Sequence, residues 1–206
     1  MVPSTRRLEG HWLLLLFVLA LVVRLLNVWA YSGQEHLLVM GDGHTYVEIA
    51  DVFSTTGKFG RIGVDGTFTP ETERVPIYSL FLAMVRSVAG PAPIAVSITQ
   101  SLVDAGTVVM IAVLASMLVP QAGIVAGVLA AVWPNMVIHS ALVLTDSLFL
   151  ALLVLALLLT ARFAQCPSLA RAAGIGLVLG LAMMTRAIAQ FMPFIAAPLL
   201  VVICLR

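Results

Sequence analysis

The sequence predicts an all-α membrane protein of about six transmembrane helices, with a long first outer loop carrying two amphipathic surface helices. Three observations lead there. Of 206 residues, 61% are hydrophobic and only 10% are charged, and the mean hydropathy is +1.09. Soluble domains carry about 25% charged residues, so an ordinary globular fold is excluded, and disorder with it. The apolar residues are gathered into runs of membrane-spanning length. Finally, seven of the ten acids lie in one early stretch: Glu35, Asp42, Glu48, Asp51, Asp65, Glu71 and Glu73. The net charge of +1 provides no basic field, so no nucleic acid is expected as a partner. Cys166 and Cys204 sit beside or inside apolar runs, without metal-ligand or CxxC spacing.

The elements follow in order. Crossing a bilayer takes about 20 apolar residues, and residues 12–30 supply the first such run, with Arg24 its only charge. It is too long for the apolar region of a signal peptide, ends in Trp29 and Tyr31, and lacks a small-residue cleavage site after it. It therefore reads as an uncleaved span with aromatic anchors. Residues 31–92 break the apolar pattern, with Lys58, Arg61, Arg74 and Arg86 set among the seven acids. A loop of about sixty residues exceeds any mere connector and is a functional candidate. Spans return near 93–118, 122–134, 147–163, 172–185 and 187–205, with breaks at Pro134 and Pro167. The runs 122–134 and 172–185 are short, about 13 or 14 residues. The whole chain, 1–206, reads as a single transmembrane module with its remaining spans in 93–206.

Charge sets the direction. Six spans place Arg6, Arg7, Arg162, Arg171 and Arg206 on one side and the acidic loop on the other. The positive-inside rule then puts both termini in the cytoplasm and the long loop outside. The expected location is a multi-pass position in the plasma (inner) membrane.

Two stretches of the loop have helical periodicity. Tyr46, Ile49, Ala50 and Phe53 form one apolar stripe, and Ile77, Leu80, Phe81, Met84 and Val88 form another. Both are too short to span and suit helices at the membrane surface. Gly57-Lys58-Phe59-Gly60 ends the first, and Pro76 is suited to start the second. Each is preceded by ionisable groups: Asp42 for the first, Glu73-Arg74 for the second. Acids and an Arg at two helix starts by the lipid–water boundary could make an anion-tolerant site for a lipid phosphate. The plainer alternatives are a helix cap for Asp42 and a solvated ion pair for Glu73-Arg74.

Asp104 lies near the middle of the 93–118 run, where an isolated acid costs about 2.5–3.5 kcal/mol. It should face the bundle with a partner, and Gln100 and Thr107 share its face. Arg24 lies about 7–8 Å away in depth, within reach of a long side chain, so an Arg24–Asp104 bridge is one reading. Asp146 precedes an apolar run and is suited to cap it. Arg186 ends a span on the outer side and either snorkels or binds a phosphate. His139 has no second metal ligand spaced for it, and His44 is either a surface residue or a neighbour of the Asp42 site.

Read in order, the segments Val22-Val23-Arg24-Leu25-Leu26, Asp42…Tyr46-Val47-Glu48-Ile49-Ala50 and Arg74-Val75-Pro76-Ile77-Tyr78-Ser79-Leu80-Phe81-Leu82-Ala83 form a pattern. Trp133-Pro134-Asn135 with Ser140, Thr145-Asp146-Ser147-Leu148-Phe149 and Gly176…Gly180-Leu181-Ala182…Thr185-Arg186 continue it. In order and spacing these resemble the membrane-embedded glycosyltransferases of the C superfamily, in the protein O-mannosyltransferase and lipid A aminoarabinose transferase branch. The resemblance implies transfer of a sugar from a polyprenyl-phosphate carrier to a glycan, lipid or protein acceptor on the non-cytoplasmic side. It maps the acid acting on the acceptor hydroxyl onto Asp42, and the acid–base pair ahead of the second surface helix onto Glu73 and Arg74. Asp42 and Glu73 are thus the catalytic candidates. Arg74, Tyr46, Tyr78, Arg186 and Arg24 are the substrate-binding candidates, with Arg74 supported by Arg186 or Arg24 on the carrier phosphate.

The mannosyltransferase branch often has a second acid directly after the Asp, where this chain has Gly43. Family members are also commonly much longer, so an N-terminal module of a larger architecture is expected, with a partner chain or further segment supplying more spans. Acids are available for a divalent metal, but no ligand set is spaced for one, and the cofactor stays open. Two other classes compete: a non-catalytic membrane subunit or lipid-binding scaffold, and a transporter. Transporters place polar sites at the midplane, often within internal repeats. Here the polar residues gather in one outer loop.

Overall fold

The long apolar runs become long helices. The computed structural model describes residues 9–204 and is 77% helical. Arg6, Arg7 and Arg206, which contribute to the expected orientation, lie outside the described residues. Helix α1 (Gly10–Ala30), α4 (Pro93–Leu118) and α7 (Asp146–Gln165) are each long and apolar enough to cross a membrane. Between α4 and α7, α5 (Ala122–Val132) and α6 (Pro134–Ala141) make a fourth span only as a pair, bent by 50°. Pro134 explains the bend: it has no N–H to give and its ring excludes the preceding turn, so one helix stops and another starts with proline at its head.

The last two expected spans are the short ones. Helices α8 (Leu169–Met183) and α9 (Met192–Cys204) are apolar but hold 15 and 13 residues. That is about 20–23 Å of helix against a hydrocarbon core of about 30 Å. A 3₁₀ turn, Ala187–Phe191, takes the opening residues of the expected last span and shortens it. Among the described residues, three helices are long and apolar enough to cross by themselves, or four with the bent pair, and α8 runs back along α7 so that Arg186 reaches Asp146.

Helix α4 is the hub, packed against α1, α5, α6 and α7. Lipid gives apolar helices no incentive to associate, so close packing must hold them. Small residues allow it: Ala20, Ala105, Ala130 and Ala131 are buried together between α1, α4 and α5. At Gly127 a Cβ would lie 2.6 Å from the end of the Leu16 side chain, so any larger residue there would oblige Leu16 to move. Arg24 and Asp104 are 0% and 1% exposed and form an ion pair within this bundle. Arg24 also donates to the carbonyls of Ala20 at 3.0 Å, Ala131 at 2.9 Å and Ala130 at 3.3 Å. The last two belong to the end of α5, whose final carbonyls have no helical partners. Arg24 thus serves Asp104 and caps α5 at once.

The loop between α1 and α4 is built of short elements. It contains a 3₁₀ turn (Glu35–Leu38), α2 (Asp42–Thr56), strands β1 (Gly60–Ile62) and β2 (Phe68–Pro70), and α3 (Pro76–Ala89). The strands pair antiparallel with Arg61 opposite Thr69. The hairpin was not anticipated, although Asp65-Gly66 is a strong local turn signal. Asp65 accepts hydrogen bonds from the Thr67 N–H and hydroxyl, and Gly66 takes φ 79°.

Helix α2 buries Tyr46, Ile49 and Ala50 as the periodicity predicts, and Gly57 ends it with φ 69°. Helix α3 differs. Its buried residues are Tyr78, Ser79, Leu82, Ala83 and Val85. Of the predicted stripe, Met84 and Val88 are 60% and 85% exposed, while Ile77, Leu80 and Phe81 are half-buried. The periodicity predicts a helix lying at the membrane surface, and an apolar edge left free of protein at Met84 and Val88 is compatible with that. A face turned from the protein suits a surface helix with lipid beside it. Helix α3 is also tied to the end of α8, the Ile77 N–H donating to the Met184 carbonyl at 2.9 Å.

Candidate active site

Where the starts of α2, α3 and α7 meet the end of α8, they enclose an open cleft of about 410 Å³. Its lining includes Asp42, Tyr46, Glu73, Arg74, Thr145, Asp146 and Arg186. Three helix N-termini thus lie at one cavity, each with a fractional positive charge of about one half.

Asp42 occupies the first position of α2, after Gly41, and its side chain makes no cap. Its Oδ1 instead accepts from Arg74 Nη2 at 2.9 Å. Arg74 stands just before α3, with Nη1 3.8 Å from Glu73 Oε2. Asp146 repeats this arrangement. It begins α7, makes no cap, and pairs with Arg186, whose guanidinium lies 5.9 Å from the Phe149 ring centre. Capping, the plain reading of both acids, is therefore corrected: each carboxylate leaves its own helix for an arginine of another segment. Snorkelling likewise gives way at Arg186 to an ion pair and a ring contact.

Tyr46 lies between the two pairs. Burial pushes its hydroxyl pKa up, Arg74 opposes this and Asp42 adds to it, and the result is above the ordinary 10.0. At neutral pH Tyr46 is accordingly a hydrogen-bond donor. Glu73 lines the cleft with its side chain 73% exposed.

The other two expected binding residues are placed elsewhere. Tyr78 is 0% exposed and packs edge-on against Tyr46, ring centres 5.1 Å apart. Its hydroxyl donates to Gln100 Oε1 at 2.6 Å, so it supports Tyr46 from behind and does not line the cleft. Arg24 is consumed inside the bundle by Asp104 and three carbonyls, because a charge at that depth needs all its donors satisfied.

Asp146, which sequence reading takes as a helix cap, lines the cleft. The available signal was its likeness to Asp42, an acid heading a helix on the same side of the chain. A second cavity of about 320 Å³ shares Asp146 and Arg186 with the first and is walled by Trp133, Met136, Phe149 and Leu150. Asp104 and His139 reach it as well. Among the described residues, no group of three or more His, Cys, Asp or Glu side chains is close enough to share a metal ion.

With this geometry described, comparison with known families adds one finding. Residues 73–205, well over half the chain, match the family of dolichyl-phosphate-mannose-protein mannosyltransferases. The chain belongs to that family. It is a membrane glycosyltransferase of the mannosyltransferase type, and the matched segment carries Glu73, Arg74, Asp146 and Arg186. Asp42 and Arg24 precede it. Comparison with curated proteins and with solved structures finds no match. The family implies a lipid-linked sugar donor, an acceptor and a membrane setting.

Proposed function

We propose that the cleft transfers a sugar from a polyprenyl-phosphate donor to an acceptor hydroxyl on the non-cytoplasmic side. Arg74 and Arg186 hold the donor phosphate by charge-assisted hydrogen bonds, and Tyr46 adds a neutral donor. Asp42 takes the proton of the acceptor hydroxyl. The acceptor oxygen bonds to the anomeric carbon, and the bond from that carbon to the phosphate oxygen breaks. The electron pair stays on the phosphate, where the two guanidiniums and three helix starts offset the developing charge. The configuration at carbon inverts. Glu73, more exposed, assists at the mouth of the cleft.

One observation carries this reading: two acid–arginine pairs, Asp42–Arg74 and Asp146–Arg186, line one cleft at the heads of helices from distant parts of the chain. A bystander ion pair on a surface needs no such convergence. The test is binding of a polyprenyl phosphate to the protein in lipid nanodiscs. Arg74→Ala and Arg186→Ala should each remove a contact of about 1.5–3 kcal/mol, or about 10- to 150-fold in affinity. Wild-type affinity in both variants would refute the assignment. A lipid-binding scaffold without catalysis would bind through the same arginines but transfer no sugar.

A further inference from the structure

Glu71 lies two residues from Glu73, yet its side chain is 1% exposed where that of Glu73 is 73% exposed. A carboxylate is not buried without partners, and those of Glu71 are specific. Its Oε1 accepts from the backbone N–H of Glu73 at 2.7 Å and of Arg74 at 3.1 Å. Its Oε2 faces Arg61 Nε at 3.3 Å and has no hydrogen bond of its own. Its own N–H donates to the Phe59 carbonyl at 3.3 Å, at the foot of the hairpin. Glu71 does not line the cleft. Burial pushes its carboxyl pKa up, but the amide hydrogen bonds and the Arg61 charge outweigh burial and hold it below the ordinary 4.5.

The hairpin acquires a purpose from this contact. Two strands of three residues are marginal alone, and nothing of the hairpin enters the cleft. What it contributes is Arg61, on β1, held against Glu71.

We infer that Glu71 is a positioning residue, which fixes the backbone of Glu73 and Arg74 so that the Arg74 guanidinium meets both Asp42 and the donor phosphate, with Arg61 holding Glu71 in turn. This rests on the reading of Arg74 given above. The carboxylate clamps two consecutive amides just before α3 begins, and so sets where the Arg74 side chain leaves the chain.

The test is a double-mutant cycle read by binding of a short-chain polyprenyl phosphate in nanodiscs. Glu71→Ala should weaken binding about tenfold, equivalent to about 1.4 kcal/mol. Glu71→Gln keeps an acceptor for the two amides and should recover much of that loss, and it serves if the alanine variant fails to fold. In an Arg74→Ala background, Glu71→Ala should change affinity no further, since its effect runs through Arg74. Amide hydrogen exchange at Glu73 and Arg74 should speed up in Glu71→Ala. Wild-type affinity in Glu71→Ala beside a weakened Arg74→Ala would overturn this inference alone. A loss that persists undiminished in the Arg74→Ala background would do the same, because it would report general loosening. Wild-type affinity in Arg74→Ala would overturn the reading of Arg74 and this inference with it.

Discussion

Gly43 lies against the carbonyl of Val143: a Cβ at this position would sit 2.6 Å from that oxygen. The obstacle is backbone, so it cannot swing aside as a side chain could. The contact seats the start of α2, with Asp42, on the connector that leads into α7, with Asp146. The mannosyltransferase branch, as the resemblance has it, often carries an acid at this place; here the space is filled by another part of the chain. Gly43→Ala is expected to lift α2 from the connector, with an overpacking cost of about 1–3 kcal/mol. Thermal unfolding in detergent and the rate of sugar transfer should both report it, and a variant unchanged in both would contradict the contact.

Asp42→Asn separates structure from chemistry. Asp42 caps nothing, and its arginine can still reach an amide oxygen, so the melting temperature should hardly move. An amide cannot take a proton as a carboxylate does, so transfer should fall by about 10²–10⁴-fold if Asp42 is the base. Transfer at the wild-type rate in a folded Asp42→Asn protein would end that role.

How much of this was legible beforehand depended on where the information lay. Fold class, the two loop helices and the α4 span (93–118) were readable because hydropathy and periodicity are local. The pairs Arg74–Asp42 and Arg24–Asp104 differ in kind. The second was within reach of sequence reasoning, because a mid-membrane acid demands a cation at matching depth and few exist. The first joins residues 32 apart with no such constraint, and the likeness to Asp146–Arg186 emerges only when α2, α3, α7 and α8 converge. Tyr78 was misplaced because a motif shows which residues stand together, not which way each one faces. Glu71 was one acid among seven in the loop, and only its burial sets it apart.

Arg24 and Asp104 should behave as a structural pair. Arg24→Met leaves a buried carboxylate alone, a change of about 3–5 kcal/mol. The double variant Arg24→Met with Asp104→Leu should recover most of the loss, less what Arg24 gives the end of α5. Differential scanning of the purified protein reads both. A marked loss of polyprenyl-phosphate binding by the folded double variant would contradict the bundle role and return Arg24 to the site.

The Glu71 clamp carries a sign for pH. Its folded pKa lies below 4.5, so the folded state holds that proton less tightly than the unfolded chain. Its contribution is complete above about pH 4.5 and disappears as pH falls through the lower folded value. Amide protection at Glu73 and Arg74 should drop on acidification in the wild type, and Glu71→Gln should show no such step. Protection that is flat with pH in the wild type would count against the clamp.

The orientation is open to direct measurement. Arg162 and Arg171 lie near the end of α7 remote from Asp146, about 30 Å along a helix of 20 residues. If the cleft faces outward, cysteines placed at Ser32 and Ser168 should label from opposite sides of the membrane. Labelling of both from one side would reject the topology.

Neither Arg74 nor Arg186 waits with its charge unmatched; each already holds a carboxylate. A newcomer must therefore outcompete a tethered rival for each guanidinium. A free phosphate ion, arriving from dilute solution, is poorly placed to do that. On the proposed reading, a phosphate carried on a lipid is confined to the bilayer beside the cleft, at an effective concentration that free ions do not reach. Selection for a membrane-borne substrate then needs no wall that recognises the hydrocarbon tail. It follows from making the entrance a contest that only a locally concentrated anion can win.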